Sequence, residues 1–125
     1  FAATPGASLK QLWGLVDAVK RDLPRVKTPS LIVHASNDDI ASAASNALYV
    51  RDHIGGPVEL LLLDRSYHMV TIDQERNAVG DATARFAWSL LSDAERERLA
   101  AVGREPIPAA PCASPVEDAA QRAAS

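Results

Sequence analysis

Two residues that can exchange protons, an aspartate and a histidine, follow the two most apolar segments of this sequence. Asp38 lies in the polar stretch SNDD after the run LIV at residues 31–33, and His68 lies in DRSYH after VELLLL at residues 58–63. A carboxylate beside an imidazole fixes the tautomer of the ring and stabilises its charged form, so that the other ring nitrogen can take a proton from a serine or cysteine. We therefore consider Asp38 and His68 the candidate acid and base of a nucleophilic catalyst, although a single turn histidine is more often solvated or locally hydrogen-bonded.

The elements that must position these two residues alternate between helix and strand. Apolar residues at helical spacing predict an amphipathic helix over Leu9–Leu23, which Pro24 ends, and another helix over about Ser42–Ile54. The two short apolar runs are typical of strands buried on both faces, and helical spacing returns after Thr71. Because neighbouring parallel strands end at the same edge of a sheet, groups 30 positions apart in the sequence can meet there. The pattern predicts an α/β fold in which parallel strands alternate with helices.

Three capping boxes mark the predicted starts of helices. In each box a hydroxyl residue stands three positions before a Gln or Glu, so the two side chains can satisfy free backbone amides of the first turn. The pairs are Ser8 with Gln11, Thr71 with Gln74, and Ser92 with Glu95. The last pair opens a short charged helix that stops at Gly103.

Composition and charge exclude several classes of protein. The 125 residues include 13 Lys and Arg against 16 Asp and Glu, and this balance argues against nucleic-acid binding, which needs a basic surface. No apolar run approaches the ~20 residues that span a bilayer, so we expect no stable membrane insertion. The single cysteine, Cys112, cannot form an internal disulfide, and a reducing cytoplasm fits it best.

Two segments of the sequence contain the candidate pair, LIVHASNDDIASAASNALYVRDHI and PVELLLLDRSYHMVTIDQER. Together they resemble the C-terminal portion of the α/β-hydrolase-fold carboxylesterases and monoacylglycerol lipases. The resemblance implies that Asp38 is the acid and His68 the base of a catalytic triad, flanked by the signature residues Ser66 and Asp73. Tyr67 departs from the family pattern, which frequently has glycine there. The implied protein is a serine ester hydrolase that acts on a small-molecule ester or a monoacylglycerol and needs no metal or organic cofactor.

The resemblance also implies a division of the chain. Residues 1–8 would end a cap or linker, residues 9–103 would form the C-terminal part of the α/β-hydrolase domain, and residues 104–125, rich in Pro, Ala and Ser, would be a disordered tail. Two strands make an incomplete sheet, and the chain opens on Phe1 and contains no G-x-S-x-G motif. We therefore expect the remaining strands, the nucleophile and the oxyanion hole upstream, and no activity from this chain alone. The alternative is a truncated, non-catalytic α/β-hydrolase fragment, which a G-x-S-x-G motif upstream would exclude.

The other candidate residues have more ordinary interpretations. Asp39 is the alternative acid because of its position in the sequence, but we expect it to cap or solvate the helix that follows. His34 is predicted to be a buried, hydrogen-bonded histidine within the first strand, and His53 a surface residue at a helix end. Trp13 and Met69 are candidates for an acyl pocket, although Trp13 at helical spacing is more often part of a core. No residue spacing predicts a zinc site, and no glycine-rich turn predicts a nucleotide site.

Overall fold

A computed structural model of the chain, which describes residues 6–103, has helices alternating with two strands. The elements are α1 (Gly6–Asp22), a 3₁₀ turn (Leu23–Arg25), β1 (Ser30–Ala35), a π-helical turn (Ala44–Leu48), α2 (Tyr49–His53), β2 (Val58–Leu63), α3 (Arg76–Ser89) and α4 (Asp93–Ala101). The chain divides into two compact units, one ending at Ala82 and the other beginning at Thr83. The predictions for residues 1–5 and for the tail over residues 104–125, including its cysteine, lie outside the described residues.

The two strands pair in parallel, as the sequence predicts for an α/β arrangement. Their register aligns Ser30 with Val58 at the start and Ala35 with Leu63 at the end. Both residues of the last pair are buried, with exposed fractions of 0% and 2%. Among residues 6–103 each strand has a neighbouring strand on one side only. The most fully buried part of the sheet therefore lies at its carboxyl edge, directly before the two turns that carry the candidate residues.

A close approach of two backbone segments makes the strands start level with each other. The amide of Ser30 donates to the carbonyl of Pro57 over 3.0 Å, so pairing begins one residue before β2. A Cβ atom on Gly56 would lie 2.7 Å from backbone atoms of Lys27 and Thr28, closer than any real side chain approaches. Glycine is required here because the loop before β2 must pass against the backbone that leads into β1.

The first helix forms as predicted, but its apolar side is exposed. Leu12 and Trp13 have exposed fractions of 54% and 61%, so the assignment of Trp13 to a core is wrong for the described residues. The helix begins at Gly6, which places Ser8 inside it and makes the predicted Ser8 cap wrong. The physical reason is that the backbone is already helical two residues earlier, so Ser8 does not have the extended conformation of a cap residue. No helix among residues 6–103 has both the length and the apolar character needed to cross a membrane.

The third predicted capping box is confirmed at α4. The amide of Ser92 donates to Oε2 of Glu95 over 2.8 Å, and the Ser92 hydroxyl donates to the same oxygen over 2.6 Å. These bonds, the one from the hydroxyl first, hold the pKa of Glu95 below its ordinary value. A local pairing within one turn of chain is therefore enough to begin this helix.

The capping box predicted for the preceding helix is wrong. α3 begins at Arg76, five residues after Thr71, and residues 70–75 form turns instead. The carboxylates of Asp73 and Glu75 bind groups of the turn at residues 65–67. These contacts compete with a helical first turn and delay the start of the helix.

The close approach at Gly56 generates a prediction about stability. We expect Gly56→Ala to lower the free energy of unfolding by about 1–3 kcal/mol, because the added methyl group has to displace backbone atoms. Gly14→Ala is the matched control, since a Cβ there meets nothing within 4 Å in α1. It should raise stability by roughly 0.5–1 kcal/mol through the better helix propensity of alanine. Urea unfolding followed by circular dichroism measures both, and a Gly56→Ala protein as stable as the parent would contradict the close approach.

Candidate active site

The turns after β1 and β2 bring the two sequence-predicted residues into contact. The Nδ1 atom of His68 donates to the Asp38 carboxylate, 2.9 Å from Oδ2 and 3.2 Å from Oδ1. Since a carboxylate can only accept, Nδ1 carries the proton, and the other ring nitrogen, Nε2, points away from the carboxylate. The Asp38 side chain is 4% exposed and that of His68 is 46% exposed. The carboxylate is therefore held inside the protein while the imidazole reaches the surface.

The Asp38 carboxylate also closes its own turn. Its Oδ1 atom accepts the backbone amides of Ile40 and Ala41 over 2.9 Å and 2.8 Å. The amide of Ala41, followed by the His68 ring and the amide of Ile40, lowers the pKa of Asp38 from 3.8 to about 2, although desolvation opposes the shift. The helical segment that follows begins at Ala44 without a side-chain cap, so Asp39 does not cap it. The Asp38 carboxylate binds the amides of the turn before that segment. Asp39 is exposed.

A second histidine faces the same carboxylate from the strand. The Nε2 atom of His34 lies 3.7 Å from Oδ2 of Asp38, and its side chain is 15% exposed. Its Nδ1 atom donates to the carbonyl of Ala35 over 2.8 Å, so His34 is a largely buried, hydrogen-bonded histidine, as predicted. The proximity of His34 to Asp38 was not predicted from the sequence. The only sequence feature that could have indicated this contact is the spacing of four residues between His34 and Asp38 across the end of β1.

Hydrogen bonds between the two turns continue the strand pairing beyond the sheet. The amide of Ser36 donates to the carbonyl of Leu63 over 2.8 Å, and its hydroxyl donates to Oδ1 of Asp64 over 2.8 Å. The side-chain amide of Asn37 donates to the carbonyl of Asp64 over 2.9 Å. These contacts hold the turn that carries Asp38 against the turn that carries the histidine. The sequence feature that indicated contact between the two turns was the polar residues directly after both predicted strands.

Two carboxylates bind the three residues that precede the histidine. Oε2 of Glu75 accepts the amide of Arg65 over 2.8 Å and the hydroxyl of Ser66 over 3.0 Å. Oδ2 of Asp73 accepts the amide of Tyr67 over 2.7 Å. We call Asp73 and Glu75 the carboxylate clamp. Ser66 and Asp73 were expected as flanking residues, whereas Glu75 was not predicted, because its partners lie about ten positions away.

A surface hollow with apolar walls lies beside the imidazole. Its volume is about 390 Å³, and it is lined by Asp39, Tyr67, His68, Met69, Ile72 and Asp73. The side chains of Tyr67, Met69 and Ile72 are 58%, 60% and 66% exposed. Of the two residues considered for an acyl pocket, Met69 lines this hollow and Trp13 does not.

The remaining histidine lies at the end of a helix. His53 is exposed at the end of α2, where its ring stacks on Tyr49 with centroids 4.0 Å apart, in line with the surface role predicted for it. Among residues 6–103 no three His, Cys, Asp or Glu side chains are grouped so that they could hold a metal ion. A search of protein-family models finds none that matches this chain.

The environment of Asp38 generates a prediction about its titration. Carbon NMR of the side-chain carboxyl groups should give a midpoint of about 2 for Asp38. In His68→Ala the midpoint should rise but remain below 3.8, because the amides of Ala41 and Ile40 stay in place. Since the folded pKa is the lower one, the ionised carboxylate stabilises the fold above the unfolded pKa, and this contribution is lost as the pH falls through about 2. An Asp38 midpoint near 3.8 in the parent protein would contradict these hydrogen bonds.

Proposed function

We propose that this chain supplies the acid and the base of the catalytic triad of a serine ester hydrolase with the α/β-hydrolase fold, of the carboxylesterase or monoacylglycerol lipase type. The observation that carries the proposal is the 2.9 Å hydrogen bond from His68 to Asp38 at the carboxyl ends of two adjacent parallel strands. The pair has the asymmetry that a triad needs, with a buried acid and a base that is accessible to a substrate.

In the proposed reaction His68 moves the proton while Asp38 remains ionised. The Nε2 atom of His68 takes the proton of a serine hydroxyl as the serine oxygen attacks the ester carbonyl. Asp38 holds the ring in this tautomer and stabilises the imidazolium. The same proton then passes to the oxygen of the departing alcohol, which leaves an acyl-serine. A water molecule then gives a proton to His68 and attacks the acyl-serine. His68 passes that proton to the serine oxygen, and the carboxylic acid is released.

The nucleophile is supplied from outside this sequence, since the 125 residues contain no G-x-S-x-G elbow. The backbone amides that bind the oxyanion come from the same additional segment. Each strand of the pair has one side without a neighbouring strand among residues 6–103, and the further strands of an α/β-hydrolase sheet would add there.

The hollow beside the imidazole favours a neutral ester with an apolar part. Tyr67, Met69 and Ile72 present apolar surface there, and the two carboxylates of the lining, Asp39 and Asp73, disfavour an anionic substrate. A small-molecule ester or a monoacylglycerol has the required character. Neither the proton transfer nor the acyl transfer requires a metal ion or an organic cofactor.

The missing serine motif favours one alternative, a non-catalytic fragment of the same fold. A fluorophosphonate probe, which phosphonylates only activated serines, separates the two possibilities when applied to the polypeptide that includes the segment before residue 1. The proposal expects labelling that requires His68. A polypeptide that has the complete sheet but resists labelling would support the alternative.

The Asp38–His68 pair generates a prediction about activity in that longer polypeptide. Asp38→Asn should lower kcat on the order of 10⁴-fold, because the amide no longer selects the tautomer or stabilises the imidazolium. His68→Ala should be at least as damaging. The double variant should be little worse than the poorer single variant, because the two residues act as a unit. Hydrolysis of p-nitrophenyl butyrate measures all three.

Asp39→Asn is the matched control for the acid, since Asp39 is the adjacent carboxylate. We expect a mild effect from it. If Asp39→Asn abolished hydrolysis and Asp38→Asn did not, Asp39 would be the acid and the assignment would be one residue too early. Activity near the parent level in His68→Ala would overturn the proposed function itself.

A further inference from the structure

We infer that Glu75 is a positioning residue for His68, acting through the turn at residues 65–67 and not through contact with substrate. The inference rests on the proposed function, because it assigns a role in presenting the base of that triad. The proposed chemistry does not itself require a residue at position 75.

The contacts of Glu75 bind the turn at two consecutive positions. Its Oε2 atom accepts both the Arg65 amide over 2.8 Å and the Ser66 hydroxyl over 3.0 Å. In return, the backbone amide of Glu75 donates to the Ser66 hydroxyl oxygen over 3.2 Å. Ser66 and Glu75 are therefore bonded reciprocally, and one side chain cannot shift without breaking a bond to the other.

The burial of this pair makes the contacts strong. Ser66 is 0% exposed, and the Glu75 side chain is 13% exposed. A hydrogen bond to a carboxylate in such surroundings is stronger than one in water, and a buried donor left without it is costly. The other oxygen, Oε1, lies 3.9 Å from Nε of Arg65, whose side chain is 75% exposed, and this long ion pair contributes little.

The position of the imidazole follows from the position of this turn. Only Tyr67 separates Ser66 from His68, and its amide is held by the other half of the carboxylate clamp, Asp73. The turn is thus fixed on one side while Asp38 holds the ring on the other. A displacement of about 1 Å in a catalytic group can lower a rate about 10²-fold.

Both hydrogen bonds end on one oxygen of Glu75, so variants can remove the negative charge and the reach of the side chain one at a time. Glu75→Gln keeps an oxygen at the same distance from the backbone and can accept from Arg65 and Ser66, but it carries no charge. Glu75→Asp keeps the charge but is one methylene shorter and cannot reach them. A positioning role predicts that Gln preserves function and that Asp does not.

The second unit offers a matched control with the same chemistry. Oε2 of Glu95 also accepts a serine hydroxyl and a backbone amide, both from Ser92. Glu95→Ala therefore removes an equivalent pair of hydrogen bonds that belongs to a helix cap. We expect it to change stability and leave kcat unchanged.

The experiment measures kcat and KM for p-nitrophenyl butyrate in the longer polypeptide and the Asp38 carboxyl titration in this chain. We expect Glu75→Ala and Glu75→Asp to lower kcat about 10²-fold with a much smaller change in KM, because a displaced base weakens the transition state more than the binding of the ester. The midpoint of Asp38 should rise from about 2 towards its value in His68→Ala. Glu75→Gln should stay within a few-fold of the parent kcat and keep the low midpoint.

Each contrary result has a distinct meaning. A Glu75→Gln protein as impaired as Glu75→Ala would show that charge matters and would overturn positioning by hydrogen bonding. Parent-like activity and titration in Glu75→Asp and Glu75→Ala, with His68→Ala inactive, would overturn the inference and leave the proposed function intact. Activity in His68→Ala would overturn the proposed function, and the titration would still decide whether Glu75 holds His68 against Asp38. If Glu75→Ala does not fold, the Asp and Gln variants give the same decision.

Discussion

The register of the two parallel strands is the constraint on which the candidate site depends. Pairing ends with Ala35 opposite Leu63, and both residues are buried. A slip of one residue would turn the buried side chains of one strand to the opposite face, which burial opposes. In the observed register the turns leave the sheet side by side, so Ser36 reaches Asp64 and Asp38 reaches His68. Two segments distant in sequence thereby form one polar cluster at the carboxyl edge of the sheet.

Acidic side chains, more than apolar packing, set the geometry of that cluster. Asp38, Asp64, Asp73 and Glu75 each accept hydrogen bonds from backbone amides, hydroxyls or rings in the turns. A carboxylate has two oxygens and can accept several donors, so each one can join groups from different parts of the chain. Asp38 combines closing its own turn with binding His68, and the amides that close the turn also keep it ionised. Asp38 thus has both a structural role and a proposed chemical role.

Some local features were predictable from the sequence by itself, although two of the three capping boxes were not. The parallel α/β alternation, the first helix, which ends two residues before Pro24, and the Ser92–Glu95 capping box depend on periodicity or on bonds within one turn of chain. The candidate pair, Asp38 and His68, could be selected because each follows a short apolar strand, and parallel strands end at one edge. The proposed triad roles of these two residues derive from the resemblance and the known chemistry of such pairs.

Only the tertiary structure decided which distant groups meet. Glu75 lies in a segment whose local pattern predicts a helix start, yet its carboxylate binds Arg65 and Ser66. A buried serine hydroxyl without a hydrogen-bond partner costs more free energy than exposed amides of a first turn, which water can bind. The approach of His34 to Asp38 likewise depends on how the turn folds back over the strand end. Periodicity along the chain records which face of an element is apolar, but hydrogen bonds across 10 or 30 positions depend on strand register and turn conformation. These long-range contacts were therefore determined only by the folded structure.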